Sequence, residues 1–203
     1  MGQVKPAHAD DAPRVVVFAG PNGAGKSTHA DAILKAIGIP TFVNADYTAR
    51  GPAGPRTETV NITASRIMLR RLNALAAARE DFAFESTLAS RSFAPFLQRL
   101  KAAGYRIAIY YFSLDSAQLA VRRVKLRVSL GGHDVPADVV RRRFARSRAN
   151  FFALYAPLAD DWALFDNSQA GDARLIAEFR NQKLQIEDVP SWNRLQPANK
   201  PPT

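Results

Sequence analysis

Three groups of residues in this chain are of types and spacings that do chemistry. The first is Gly20-Pro21-Asn22-Gly23-Ala24-Gly25-Lys26-Ser27-Thr28, which fits the pattern G-x-x-x-x-G-K-S/T. Glycines at 20, 23 and 25 permit backbone angles that a Cβ would forbid. The loop can then wrap a phosphate and aim several N–H groups at it, aided by the positive end of a following helix. Lys26 supplies a mobile cation for the β- and γ-phosphates, and the Ser27 hydroxyl is placed to ligate Mg²⁺. The alternative, a glycine turn with an incidental lysine, accounts for neither the full motif nor its context. A bound nucleoside triphosphate is the expectation.

The second group is acidic. Asp46 follows the short apolar run Thr41-Phe42-Val43-Asn44-Ala45, and Glu85 follows Phe82-Ala83-Phe84. Asp46 suits a base that takes the proton of an attacking hydroxyl, and it equally suits a turn or helix N-cap. The local sequence leaves both open. Arg50, four residues on, shares a helical face with Asp46 if a helix starts there, and would hold an anionic substrate. Glu85 would orient Mg²⁺ or its water, or bind substrate hydroxyls. Thr87 reads as a cap of the next turn ahead of a substrate contact.

The third group is basic. Between Asp115 and Asn150 stand nine Lys or Arg and three acids, a net of +6 out of +10 for the whole chain. Val121, Val124 and Val128 make a buried stripe on one helix, which leaves Arg123 and Arg127 together at i, i+4. Val140, Phe144 and Phe151 do the same on a second helix, leaving Arg142 and Arg146. The two are joined across Leu130-Gly131-Gly132-His133-Asp134-Val135-Pro136. A glycine-hinged pair of arginine helices suggests a closing lid that neutralises charge on a transferring phosphoryl group. A solvated basic face is the plainer reading for most of these arginines, and His133 reads as a hinge or cap.

These groups need elements to hold them. Val15-Val16-Val17-Phe18-Ala19 reads as a buried strand before the glycine loop, and Ser27 to Ile37 as a helix stopped by Gly38. Further strands are expected at 41–45, 82–84, 105–114 and 162–166. Helices are expected at 58–79, where Val60, Ile67, Leu72 and Leu75 would face inward, at 92–103, and at 115–130 with Asp115 as cap. One more runs from Pro136 to about Asn150. Residues 175–179 read as strand or helix, and with 184–189 they would make a terminal hairpin. Strands alternating with helices predict an α/β fold of the P-loop type: about five strands, mostly parallel, covered by helices on both faces. Ligands in such sheets bind beyond the carboxyl ends of the strands, where the glycine loop, Asp46, Glu85 and Asn167 all fall.

The 203 residues suffice for one such domain, expected over 14–189 with 115–150 as its lid. Residues 1–13 read as a flexible leader, and 190–203, with four prolines, as a flexible tail. There is no cysteine, which excludes a disulfide framework or thiolate metal site and fits the cytoplasm. No apolar run approaches membrane-spanning length. The charge of +10 calls for an anionic partner. Nucleic acid is the weaker choice, because the basic residues cluster beside the proposed site without interleaved stacking aromatics.

With these pieces in order, the sequence resembles the small stand-alone branch of the zeta-toxin family of P-loop kinases. The matches are Gly20 to Thr28, Asn44-Ala45-Asp46, Phe84-Glu85-Ser86-Thr87-Leu88, and Arg127 with Gly131-Gly132-His133-Asp134-Val135-Pro136. Arg141-Arg142-Arg143-Phe144 and Asp166-Asn167-Ser168 complete the set, over about residues 14 to 168. The family's acidic-x-acidic pattern at the second strand reads Asn44-Ala45-Asp46 here, and the lid is shorter than in the large plasmid-borne toxins. The resemblance implies ATP- or GTP-dependent phosphorylation of a small anionic acceptor, with UDP-N-acetylglucosamine as the best-known one. It implies Lys26 and Ser27 as nucleotide and Mg²⁺ ligands and Asp46 as base. Glu85 becomes a substrate-binding carboxylate, and Arg127 with Arg142 or Arg143 a phosphate clamp. An antitoxin protein partner is compatible with the resemblance but is not readable from this chain. The competing expectation is a nucleotide-dependent nucleic-acid or protein-binding ATPase.

Overall fold

Apolar β-branched residues placed in an unbroken run cannot leave either face of a strand in water, and the first strand obeys this. β1 (Arg14–Ala19) is flanked on both sides by parallel neighbours, β3 (Phe82–Ser86) and β4 (Arg106–Ser113). Val15, Val17, Phe18 and Ala19 have no exposed surface. The computed structural model describes residues 12–44 and 58–196, with side chains from 66 onward in the second stretch. Asp46 and Arg50 lie outside the described residues, as do 1–11 and 197–203.

The sheet has seven strands in the order β2-β3-β1-β4-β5-β6-β7, not about five. β2 (Thr41–Val43), β3, β1, β4 and β5 (Asp161–Asp166) are parallel, as expected. β6 (Arg174–Arg180) and β7 (Lys183–Ile186) add an antiparallel hairpin at the β5 edge. The hairpin turn is Asn181-Gln182, with φ of +52° and +61°. It is a mirror-image turn without the glycine that usually advertises one. Every β7 residue is exposed, so the alternating Leu184 and Ile186 meet no core.

Helices cover both faces. Met68, Leu72 and Leu75 of α2 (Glu58–Ala77) pack with Phe82, Phe84 and Ile107 on one side, together with Leu97 of α3 (Phe93–Ala102). Each such side chain contributes roughly 1.5–3 kcal/mol by leaving water. Met68 takes the inward place expected for Ile67, which is 44% exposed. On the other face Ala30 and Leu34 of α1 (Lys26–Ile37) pack with Phe18, Phe112 and the valines of α4 (Ala117–Ser129). Ser116, not Asp115, caps α4, its hydroxyl accepting from the Leu119 N–H at 3.2 Å. A cap one residue later leaves the Asp115 carboxylate to pair with Arg194 at 3.1 Å.

α5 (Ala137–Asn150) starts on the α4 face, where Val140 is fully buried. Its continuation, a π-helical turn (Phe151–Tyr155), buries Phe151 and Tyr155 on the opposite face. The helix therefore crosses from one face of the sheet to the other. The stretch from 190, expected as a loose tail, begins as a helix instead, α6 (Val189–Leu195). Pro190 sits in its first turn, where a missing N–H costs nothing, and Asp188 caps it. Trp192 stacks on Trp162 with centroids 6.0 Å apart, and Leu195 is buried, which anchors it. Among the described residues no helix is long and apolar enough to cross a membrane.

Candidate active site

β1 hands the chain to the glycine loop between β3 and β4, neither of which is its neighbour in sequence. This is a topological switch point, the place where open α/β sheets make a crevice. Gly20, Gly23 and Gly25 have φ of +132°, +78° and +79°. The loop closes on itself through Ala24 N–H to the Pro21 carbonyl at 3.2 Å, and Gly25 caps α1 in the left-handed conformation. No acidic residue of α1 itself lies in its first turn.

Lys26 is 5% exposed, and its Nζ donates to the Pro21 carbonyl at 3.0 Å. The same Nζ stands 3.4 Å from Glu85 Oε1. Glu85 Oε2 accepts from the Ser27 hydroxyl at 2.5 Å and from Asn44 Nδ2 at 2.9 Å. Four residues from three elements thus converge at the head of α1: Lys26 and Ser27, Glu85 from β3, and Asn44 from the end of β2. The ion pair is largely out of water, where charge–charge interactions exceed those of a surface pair. Replacing Lys26 with Ala is expected to lower any triphosphate-dependent turnover on the order of 10²- to 10³-fold, measured as ADP release. Turnover within about threefold of wild type would contradict this placement.

Asn44 suits its place beside Glu85. A second carboxylate there would face Glu85 with like charge, whereas the amide donates to it. The sequence named Asn44 only as a departure, and its link to Glu85 spans 41 residues.

The back of the glycine loop is braced by a residue that sequence reasoning placed only at a strand end. Asn167 donates from Nδ2 to the Ala24 carbonyl at 2.9 Å, and a Cβ on Gly25 would lie 2.4 Å from that nitrogen. Arg123, expected with the lid arginines, acts as a strut for the same segment. Its guanidinium donates to the carbonyls of Asn167 at 2.6 Å and Ser168 at 3.1 Å.

Arg127 and Arg142 have partners of their own among the described residues. Arg127 donates to the His133 carbonyl at 2.7 Å, and its stem lies where Gly132 leaves no room for a Cβ. Arg142 is exposed, with Asp138 one turn back at 3.8 Å. Thr87 accepts from the Ala89 N–H at 3.4 Å, in keeping with a turn cap. Pro21, Asn22, Ala24 and Thr28 lie in the loop and first helical turn as expected, with Asn22 Oδ1 buried and without a partner.

The sequence model of the zeta toxin family matches residues 1–169. The chain belongs to the zeta toxin family. A protein of Haemophilus influenzae (strain ATCC 51907 / DSM 11121 / KW20 / Rd), itself uncharacterised, is 27% identical over 133 residues, 64% of this chain and 92% of that protein. Among solved structures, a chain of the AvrRxo1-ORF1:-ORF2 complex with ATP superposes with a TM-score of 0.73 at 16% identity. The overlap covers 91% of this chain but 63% of that one, so this member spans under two thirds of its neighbour's length. A chain of the PezAT chromosomal toxin-antitoxin system of Streptococcus pneumoniae matches with a TM-score of 0.61 at 15% identity, covering 82% and 72%. At such identities the likeness is one of fold.

Proposed function

We propose that this zeta toxin family member is a kinase that transfers the γ-phosphate of ATP or GTP to a hydroxyl of a small anionic acceptor. A nucleotide sugar such as UDP-N-acetylglucosamine is the first candidate. The observation that carries the reading is the convergence of Lys26, Ser27 and Glu85 at the mouth of the glycine loop. Lys26 would leave the Pro21 carbonyl for the β- and γ-phosphate oxygens, a short move for a flexible stem.

The Ser27 hydroxyl and the Glu85 carboxylate are hard oxygen donors, and Mg²⁺ is held through one or two carboxylates plus substrate phosphates, so the pair fits that ion. When bound, Mg²⁺ neutralises charge across the β- and γ-oxygens. Glu85 on this geometry serves the phosphate end in preference to the sugar.

Asp46 follows Asn44 by two residues, and Asn44 already touches Glu85. Asp46 accepts the acceptor hydroxyl's proton as that oxygen bonds to the γ-phosphorus and the β–γ bridging bond breaks, releasing the nucleoside diphosphate. Arg50 and Thr87 hold the acceptor. Arg127 and Arg142, or its neighbour Arg143, swing from their present partners to the transferring phosphoryl group.

Adding the true acceptor to protein and ATP is expected to raise ADP release about tenfold or more over the rate to water. A panel of nucleotide sugars, nucleosides and NAD that leaves the rate flat would remove the acceptor class proposed. The basic surface motivates the second reading, a nucleic-acid-stimulated ATPase. That reading predicts stimulation by polynucleotide that falls steeply with salt. Because the two fold neighbours come from two-protein complexes, we also propose a neutralising protein partner.

A further inference from the structure

The loop leaving β3 begins at Thr87, two residues after Glu85, at the carboxyl end of the strand that carries it. It is not a relaxed turn. Leu88 is 1% exposed and holds a φ of +52°, a conformation L side chains rarely adopt. The loop's local bonds are Leu88 N–H to Ser86 Oγ at 3.1 Å, Ala89 N–H to Thr87 Oγ1 at 3.4 Å and a Ser90–Ser92 pair at 3.0 and 3.1 Å. What holds it comes from far along the chain. Ser147 Oγ donates to the Thr87 carbonyl at 2.5 Å, Asn150 Nδ2 to the Leu88 carbonyl at 2.9 Å, and the Tyr155 hydroxyl to the Ser90 carbonyl at 2.5 Å.

Each fastening is itself fixed. Ser147 is fully buried on α5, and its oxygen is 2.8 Å from the Tyr111 hydroxyl. Since Ser147 spends its proton on Thr87, Tyr111 must donate to it. Burial pushes the Tyr111 hydroxyl far above its ordinary pKa, so the proton stays in place. Ser147 and Asn150 share a helix face at i, i+3. Tyr155 follows eight residues after Ser147, beyond a π turn over Phe151–Tyr155 that closes i to i+5, and its hydroxyl reaches the same loop.

We propose that Ser147, Asn150 and Tyr155 are positioning residues that shape the loop after β3 to receive the acceptor. They fasten it to the same helix that carries Arg142 and Arg143, so acceptor and phosphate-clamping arginines share one frame. The word acceptor rests on the kinase reading; the bracing does not.

Amide exchange on the full chain, followed by mass spectrometry, tests both parts with Asn150→Ala and the milder Tyr155→Phe. Exchange over 86–92 is expected to quicken about tenfold, the cost of one lost hydrogen bond. Exchange over 20–28 and ATP affinity should stay at wild-type values. With an acceptor in hand, its KM should rise several-fold while the KM for ATP does not. Unchanged exchange at 86–92, or a rise spread evenly over the molecule, would overturn the bracing. A quickened loop with an unchanged acceptor KM would overturn its role in reception. Should wild type transfer phosphate to nothing offered, the kinase reading falls, and the exchange result still decides the bracing.

Discussion

Asp46→Asn is expected to bind ATP with wild-type affinity and to transfer phosphate on the order of 10²- to 10⁴-fold more slowly. The size follows from what the residue is asked to do. An alcohol is a poor nucleophile until its proton has somewhere to go, and phosphoryl transfer leaves the protein little else than positioning and charge compensation. Asparagine keeps the shape and loses the proton acceptor, while Lys26, Ser27 and the glycine loop are untouched. The end of β2 is tied to the phosphate site through Asn44 and Glu85. Unchanged turnover would remove Asp46 as base, and a lost ATP affinity would instead make it a nucleotide ligand. Titration with a fluorescent ATP analogue, beside single-turnover transfer, separates the outcomes.

Gly20→Ala is expected to cost folding more than any other single methyl added to the loop. A Cβ there would sit 2.1 Å from the Phe112 carbonyl oxygen, on backbone at φ +132°. The obstructing atom is main chain in the middle of the sheet, so no side chain can turn aside. The substitution must separate β1 from β4 or reshape the loop, and either disturbs the buried residues of the two strands beneath it. A loss above about 4 kcal/mol is expected, in the exceptional range for one substitution. That corresponds to a fall in Tm of roughly 10 °C or more for a domain of this size. A melting temperature within about 2 °C of wild type would show that the loop has room not seen here. Gly38 offers the control: its φ is +68°, but nothing lies within 4 Å of an added Cβ.

The contrast between these glycines also shows what a linear reading can reach. Strand, glycine loop and helix were legible because each is local: an unbroken apolar run, a fixed spacing, a periodic stripe. The five parallel strands followed from the same signals. The hairpin was legible only as an option, since β7 is exposed on every residue and its turn lacks glycine. α6 was masked by composition: four prolines read as a loose tail, though one of them opens a helix.

In the site, Glu85 was found as a strand-end acid, but its bond to Ser27 joins residues 58 apart, a pairing that only the adjacency of β1 and β3 creates. Arg123 and Arg127 looked alike, one turn apart on a basic helix. Packing divides them: one reaches the carbonyls after β5, the other the loop before α5. The brace on the loop after β3 had no sequence signal, because Ser147, Asn150 and Tyr155 bond main-chain carbonyls 60, 62 and 65 residues away.

The central claim is that the γ-phosphate ends on an acceptor hydroxyl. Following γ-labelled phosphate through one round of reaction, with the stimulating acceptor present, tests it most directly. The account predicts the label in a phosphate ester of the acceptor, with only a minor share as inorganic phosphate. Label recovered wholly as inorganic phosphate, at a rate set by polynucleotide and not by any small hydroxyl compound, would contradict it.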